Sequence, residues 1–185
     1  MTIEQQKKML STERLILSRK RLFEHYEVLF YMGLPMCLLL IAYFYLQIPD
    51  GFKNIISAKL ILLALPAMGI AIFLNQYFGL RFAKVTTTLT QEENYELAKK
   101  TIGELRWKIR VDNKGFLEAF NPFSDFRTWG NEMISILITD HQILINSICN
   151  VDDVQSQAAL SFGKNRQNIN RFRNMFASIE HKTNP

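Results

Sequence analysis

Histidine and cysteine side chains are the groups most able to do catalytic or metal chemistry, and this 185-residue chain has few of them. The three histidines lie far apart in the sequence: His25, His141 and His181. Asp140 adjoins His141, but neighbouring strand residues point to opposite sides, so the two side chains do not converge. The two cysteines form no CxxC pair. We therefore expect no metal site, no catalytic residues and no cofactor.

Motifs for nucleophilic catalysis or nucleotide binding are also missing, since the sequence contains no GxSxG, SxxK, P-loop or GxGxxG pattern. The nearest approach to an anion site is Gly163, followed by Lys164, Asn165 and Arg166 at a predicted helix start. Free backbone N–H groups at such a start can hold an anion. An ordinary helix start with solvated basic side chains is the alternative, and it is the commoner case.

Aromatic side chains crowd residues 116–129, and three of them fall in a predicted loop: Phe123, Phe126 and Trp129. Exposed aromatic residues are frequent anchors in protein interfaces, so these three are candidate partner contacts. The alternatives are that Phe123 and Phe126 enter the bilayer interface, where aromatic rings are favoured, or that the loop aromatics pack beneath the loop as a satellite of the core.

Two uncharged runs, residues 28–48 and 60–80, dominate the first half of the chain. Each would span about 30 Å as a helix, which matches the hydrocarbon core of a bilayer. The sequence therefore predicts a membrane α-helical hairpin of two transmembrane helices; a pair of buried core helices is the alternative. Lysines and arginines are concentrated outside the short linker, which favours a multi-pass protein of the bacterial inner membrane with both termini cytoplasmic.

Small residues recur at helical spacing in both runs and would allow close helix contact. These candidate packing positions are Gly33 and Cys37 in the first run and Ala67, Gly69 and Ala71 in the second.

Residues 1–27 form a predicted amphipathic helix that begins with a capping box at residues 2–5, Thr-Ile-Glu-Gln. Its basic side chains suit the inner surface of a membrane. Packing of the same helix on the chain's own C-terminal domain is an equally strong alternative. The predicted organisation is thus an N-terminal helix at 1–27, a hairpin at 28–80 and a cytoplasmic domain at 81–185.

The C-terminal domain has the pattern of a small α+β fold with a curved antiparallel sheet and two helices on one side. A second capping box at Thr90 opens a helix that runs to about residue 107. Predicted strands cover 85–89, 108–111, 116–120, 133–139 and 142–150, and a helix at 165–179 closes the domain.

Residues 85–176 resemble a small uncharacterised cytoplasmic domain of bacterial membrane proteins, which is sometimes attached to rhomboid-type proteases. The resemblance is carried by residues 105–107 (Leu-Arg-Trp), 129–132 (Trp-Gly-Asn-Glu), 145–147 (Ile-Asn-Ser) and 163–169 (Gly-Lys-Asn-Arg-Gln-Asn-Ile). It implies an α+β architecture and a cytoplasmic location. Protease chemistry is not implied, because this chain lacks the serine motif and has too few predicted spans.

The formal charge of +5 lies entirely in residues 1–84, since residues 85–185 hold twelve basic and twelve acidic side chains. This distribution argues against nucleic acid as a partner. The sequence predicts a non-enzymatic inner-membrane accessory, scaffold or regulatory subunit. Its partners would be the lipid bilayer and a membrane protein or a second copy of the chain. The alternatives are a lipid or anionic-ligand sensor and an immunity-like membrane protein.

Overall fold

The structure is a computed structural model that describes residues 2–45, 56–121, 132–149 and 163–183. Within these residues the helices, in chain order, are α1 (Ile3–Thr12), α2 (Arg19–Tyr45), α3 (Ile56–Gly79), α4 (Gln91–Glu104) and α5 (Lys164–Thr183). The strands are β1 (Ala83–Thr86), β2 (Lys108–Asn113), β3 (Phe116–Phe120), β4 (Glu132–Thr139) and β5 (Gln142–Cys149).

The five strands form one antiparallel sheet in the order β1-β5-β4-β3-β2. This confirms the predicted α+β arrangement and the antiparallel pairing of the C-terminal half. Nearly every residue of β4 and β5 is buried. Their long runs of isoleucine and leucine are therefore explained by helices that cover both faces of the sheet.

The first face of the sheet is covered by α4 and α5. The predicted capping box is present at the start of α4, where Thr90 Oγ1 accepts from the backbone N–H of Glu93 and the Glu93 carboxylate accepts from that of Thr90. Tyr95, Ala98 and Ile102 of α4 then pack against the sheet together with Phe172 and Phe176 of α5. This face holds the larger of the two cores.

The second face is covered by α1. Of the two alternatives for the N-terminal helix, the structure therefore shows packing on the chain's own C-terminal domain. Met9 is 1% exposed and packs with Leu15 and Leu80 against the strands. The sheet residues of this second core are Phe116, Met133, Leu137, Leu144 and Ile148. The expectation that helices flank only one side of the sheet is therefore wrong.

The predicted single helix over the N-terminal 27 residues is broken at Glu13, whose φ of 50° is left-handed. The backbone of residues 13–15 instead pairs with residues 80–82, which connect α3 to β1. Leu15 N–H donates to the Leu80 carbonyl at 2.8 Å, and Phe82 N–H donates to the Glu13 carbonyl at 2.9 Å. These bonds fix the short connection between α1 and α2 along the sheet.

Among the described residues, no helix combines the length and the apolar character that crossing a bilayer requires. This finding contradicts the predicted hairpin of two transmembrane helices at 28–48 and 60–80, and with it the multi-pass inner-membrane location with both termini cytoplasmic. A span needs about 20 consecutive apolar residues. The described side chains of α2 include five charged ones among its first nine residues, and the last turns of α3 bury Gln76.

Candidate functional site

A row of three polar side chains crosses the middle of the second face. Glu118, Ser135 and Asn146 occupy paired positions on β3, β4 and β5. All three are buried, with exposed fractions of 4%, 0% and 1%. Alternation along each strand places them among the apolar residues of the second core. Buried polar side chains of this kind need hydrogen-bond partners.

Glu118 finds those partners in two arginines from different elements. Its Oε2 lies 3.1 Å from Nη1 of Arg21, in the first turn of α2, and its Oε1 accepts from Nε of Arg110 on β2 at 2.6 Å. Charge-assisted hydrogen bonds are stronger than neutral ones. The carboxylate therefore ties the start of α2 to the sheet.

Asn146 ties the end of α3 to the same row. Its Nδ2 donates to the carbonyls of Gly79 at 2.8 Å and Arg81 at 2.7 Å. The start of α2 and the end of α3 both lie next to the sheet. Both are thus held by polar contacts as well as by apolar packing.

A reciprocal pair between His25 and Gln76 joins α2 to α3 directly. Gln76 Nε2 donates to the His25 carbonyl at 2.8 Å, and His25 Nε2 donates to the Gln76 carbonyl at 3.2 Å. Burial lowers the pKa of His25, and the hydrogen bond to Gln76 offsets part of that shift. The neutral ring serves as a connector between two helices.

Four buried side-chain oxygens around this junction have no hydrogen-bond partner in the described structure: Glu24 Oε2, Gln76 Oε1, Ser135 Oγ and Asn146 Oδ1. A serine nucleophile requires an adjacent base, and Ser135 Oγ accepts and donates no hydrogen bond. The polar contacts of this junction anchor α2 and α3 to the sheet.

A second cluster of titratable groups connects α4 to β2. Tyr95 Oη donates to Asp112 Oδ1 at 2.5 Å, and Lys99 Nζ lies 2.9 Å from Asp112 Oδ2. The bond to Asp112 raises the pKa of Tyr95, while the bonds from Tyr95 and Lys99 lower the pKa of Asp112. The raised pKa keeps the Tyr95 hydroxyl protonated at neutral pH, so Tyr95 holds Asp112 as a hydrogen-bond donor and the cluster joins α4 to β2.

The outer surface of the α2–α3 pair is apolar. Its large hydrophobic side chains are each more than one-third exposed: Leu22, Phe23, Phe30, Tyr31 and Leu38 on α2, and Met68, Ile70, Phe73, Leu74, Tyr77 and Phe78 on α3. We call these eleven residues the hairpin surface. Large exposed apolar patches are typical of binding surfaces.

An aromatic ladder of Tyr26, Phe73, Tyr77 and Phe78 overlaps the hairpin surface and ends at two arginines. The ring of Tyr26 lies 5.8 Å from that of Phe73, which lies 6.0 Å from Tyr77. Arg14 stacks 3.6 Å over the Tyr77 ring, and its Nη2 donates to the Tyr77 carbonyl. The guanidinium carbon of Arg81 lies 4.9 Å from the centre of the Phe78 ring.

The residues predicted for an anion site lie at the start of α5. Gly163 has a φ of 86°, and Lys164 is the first helical residue. Asn165 Oδ1 accepts from Ser147 Oγ at 3.2 Å, so that side chain is engaged with β5, while Arg166 is exposed. These contacts fix the start of α5 on the sheet; the anion site stays a prediction.

The other predicted site residues are placed as follows. Phe123, Phe126 and Trp129 lie outside the described residues, as does the side chain of Cys37. Ala67 and Ala71 are exposed on α3, and a methyl group added at Gly33 or Gly69 would meet no atom within 4 Å. Close helix contact at these small residues stays a prediction.

The remaining histidines and the described cysteine are not brought together. His141 lies exposed in the β4–β5 turn, and His181 lies exposed in the last turn of α5. Burial raises the pKa of Cys149 to about 11, so its thiol is unreactive at neutral pH. The described part of the chain holds no group of three metal-binding side chains.

Comparison with known proteins gives no relative for this chain: no family model matches it, and no curated protein is significantly similar to it. The resemblance of residues 85–176 to a domain of bacterial membrane proteins therefore stays a prediction.

The polar row and the arginine-capped ladder were both missed from the sequence. One signal for the row was available, because β3, β4 and β5 each carry a single buried polar residue on the face that they share: Glu118, Ser135 and Asn146. The ladder had no comparable signal, since Arg14 and Tyr77 are 63 residues apart.

Proposed function

We propose that this chain is a non-enzymatic interaction protein in which the α+β domain holds the α2–α3 pair and presents the hairpin surface to a protein partner. The observation that carries the proposal is the contrast between two surfaces. Both faces of the sheet are filled by the chain's own helices, whereas large apolar side chains on α2 and α3 stay exposed. Such a surface is suited to an accessory, scaffold or regulatory role.

The anchoring contacts support this proposal, because a binding surface gains affinity when it is held in one orientation before binding. Glu118 fixes the start of α2, and Asn146 fixes the end of α3. The His25–Gln76 pair then sets the two helices against each other. The hairpin surface is thereby presented in a fixed position relative to the sheet.

Photo-crosslinking in living cells tests the proposal. A photoreactive amino acid at Phe30, which is 61% exposed on α2, should yield a defined crosslinked protein that mass spectrometry identifies. The same group at Lys100, exposed on α4, is the matched control and should not yield that product. The Phe30→Ser variant should lose co-purification of the identified partner, whereas Lys100→Ser should retain it.

Two outcomes separate the classes of partner. A crosslinked product of twice the chain mass would identify a second copy of this protein as the partner. Equal crosslinking from Phe30 and Lys100, or unchanged co-purification with Phe30→Ser, would contradict a role for the hairpin surface.

A further inference from the structure

We propose that the arginine-capped end of the hairpin surface binds an acidic segment of the partner protein, one that carries apolar side chains between its carboxylates. This inference rests on the proposed function and specifies the partner's chemistry. The binding patch consists of the aromatic residues Phe73, Tyr77 and Phe78 together with the cationic residues Arg14, Arg81, Lys84 and Arg173. We call it the basic aromatic patch.

The cations of the patch are brought together by contacts between four parts of the chain. Residue 14 forms a β-bridge with residue 81, and Arg173 Nη2 of α5 donates to the backbone carbonyl of Lys84 at 2.6 Å. Among the described residues, one carboxylate, that of Glu13, contacts the group, through an ion pair of 2.9 Å with Lys84. Four cations and one carboxylate leave a net charge of three positive units on this patch.

The two guanidinium groups nearest the rings are available to an incoming anion. In the part of the chain that the structure describes, neither Arg14 nor Arg81 pairs with a carboxylate. Arg14 stacks on Tyr77, and Arg81 lies over Phe78. Arg14 Nη2 donates to the Tyr77 carbonyl, and the other N–H groups of Arg14, together with the guanidinium of Arg81, can bind a carboxylate.

The rings supply the apolar part of the contact. Phe73, Tyr77 and Phe78 are between 38% and 48% exposed, so each can bury more surface on binding. Aromatic residues and arginine are the types enriched in interface hot spots. The charge of the patch selects against basic partners, since juxtaposed like charges oppose association. An acidic segment with apolar anchors satisfies both requirements.

Peptide binding to the purified full chain tests this inference. The probe is an amphipathic helical peptide with a leucine face and a glutamate face, labelled for fluorescence anisotropy. Its matched control carries lysine in place of every glutamate. We expect the glutamate peptide to bind and the lysine peptide to bind at least about tenfold more weakly. Raising the salt concentration should weaken the binding, because the charges are solvent-exposed.

Variants then assign the binding to the patch. Arg81→Glu should weaken binding of the glutamate peptide by about tenfold or more. Arg81→Lys should retain most of the affinity for this peptide. Lys100→Glu makes the same charge change on α4 and should have no effect. Phe78→Ser should weaken binding without changing its salt dependence. Urea unfolding of each variant confirms that it is folded.

Three results would overturn the inference: equal affinity for both peptides, insensitivity to Arg81→Glu, or binding of phosphatidylglycerol vesicles through Arg81 in place of the peptide. The two proposals can fail separately. A crosslinked partner at Phe30 together with no peptide binding would leave the interaction function intact and remove the acidic partner. Peptide binding without any crosslinked partner would contradict the interaction function proposed for Phe30 and its neighbours, although the basic aromatic patch would still bind acidic peptides.

Discussion

Glu118 is a buried carboxylate that contacts guanidinium groups from two different elements, Arg21 on α2 and Arg110 on β2. Replacing it with glutamine removes the negative charge to which both guanidinium groups are bound. Breaking a buried pair costs about 3–5 kcal/mol, and we expect the lower end because the two arginine side chains are 26% and 32% exposed. Urea unfolding of Glu118→Gln should therefore show a loss of about 3 kcal/mol.

The matched control for this change is Glu92→Gln. Glu92 forms an ion pair of 3.0 Å with Lys114, and both side chains are more than half exposed. Exposed pairs contribute at most about 1 kcal/mol. A similar loss of stability in the two variants would show that Glu118 does not anchor α2.

Ser135 presents the opposite situation, because its hydroxyl is fully buried and has no hydrogen-bond partner in the described structure. An unsatisfied buried polar group costs about 1–3 kcal/mol. Ser135→Ala should therefore raise the free energy of unfolding by about 1 kcal/mol. Asn146→Ala should lower it, since Asn146 donates two hydrogen bonds. Destabilisation by Ser135→Ala would show that the hydroxyl is paired with a bound donor.

These residues show which part of the site the sequence could predict. The sequence shows the residue types of the polar row, and it predicts the strand that contains Glu118. Their alignment depends on the register of three strands, and the β3–β4 connection leaves that register undetermined in the sequence. Arg21 lies 97 residues from Glu118, so its contact depends on the whole fold. Local patterns cannot specify such pairs.

At the scale of elements, features that depend on neighbouring residues were predicted correctly. Both capping boxes, at Thr2 and Thr90, are present because each needs only residues three positions apart. The break after Thr12 was missed, since it depends on backbone bonds from residues 13–15 to the distant segment 80–82. The predicted membrane spans were wrong, because an uncharged run does not by itself specify a helix that crosses a bilayer.

The contact between α2 and α3 should depend on pH through His25. Burial lowers the pKa of this side chain in the folded protein below its usual 6.5. The unfolded chain therefore takes up the proton first as the pH falls, and stability drops once the pH falls below about 6.5. We expect His25→Leu to lose this part of the pH dependence in urea unfolding measured between about pH 7.5 and 5.5.

His181→Leu provides the control, because His181 is exposed in the last turn of α5. Comparing the two variants in the same range isolates the contribution of the buried histidine. If His25→Leu and the unmodified chain lose stability in parallel as the pH falls, His25 is not buried in its neutral form.

For the whole molecule, the average composition conceals two very different surfaces. The sheet is enclosed on both faces, whereas α2 and α3 expose large apolar side chains. The basic excess lies in residues 1–84, and it includes Arg14, Arg81 and Lys84 of the basic aromatic patch. Part of the basic excess that predicted a membrane topology therefore lies in the patch that we propose binds an acidic segment.

Enclosure of the second face depends on α1, whose Met9 is 1% exposed against the sheet. Met9→Ala should leave a cavity there and cost about 2–4 kcal/mol in urea unfolding. Met68→Ala removes the same atoms from the hairpin surface, where the side chain is 42% exposed, and should cost less than about 1 kcal/mol. Hydrogen exchange should accelerate in β3–β5 only for Met9→Ala. Equal costs at the two positions would mean that α1 does not complete the core.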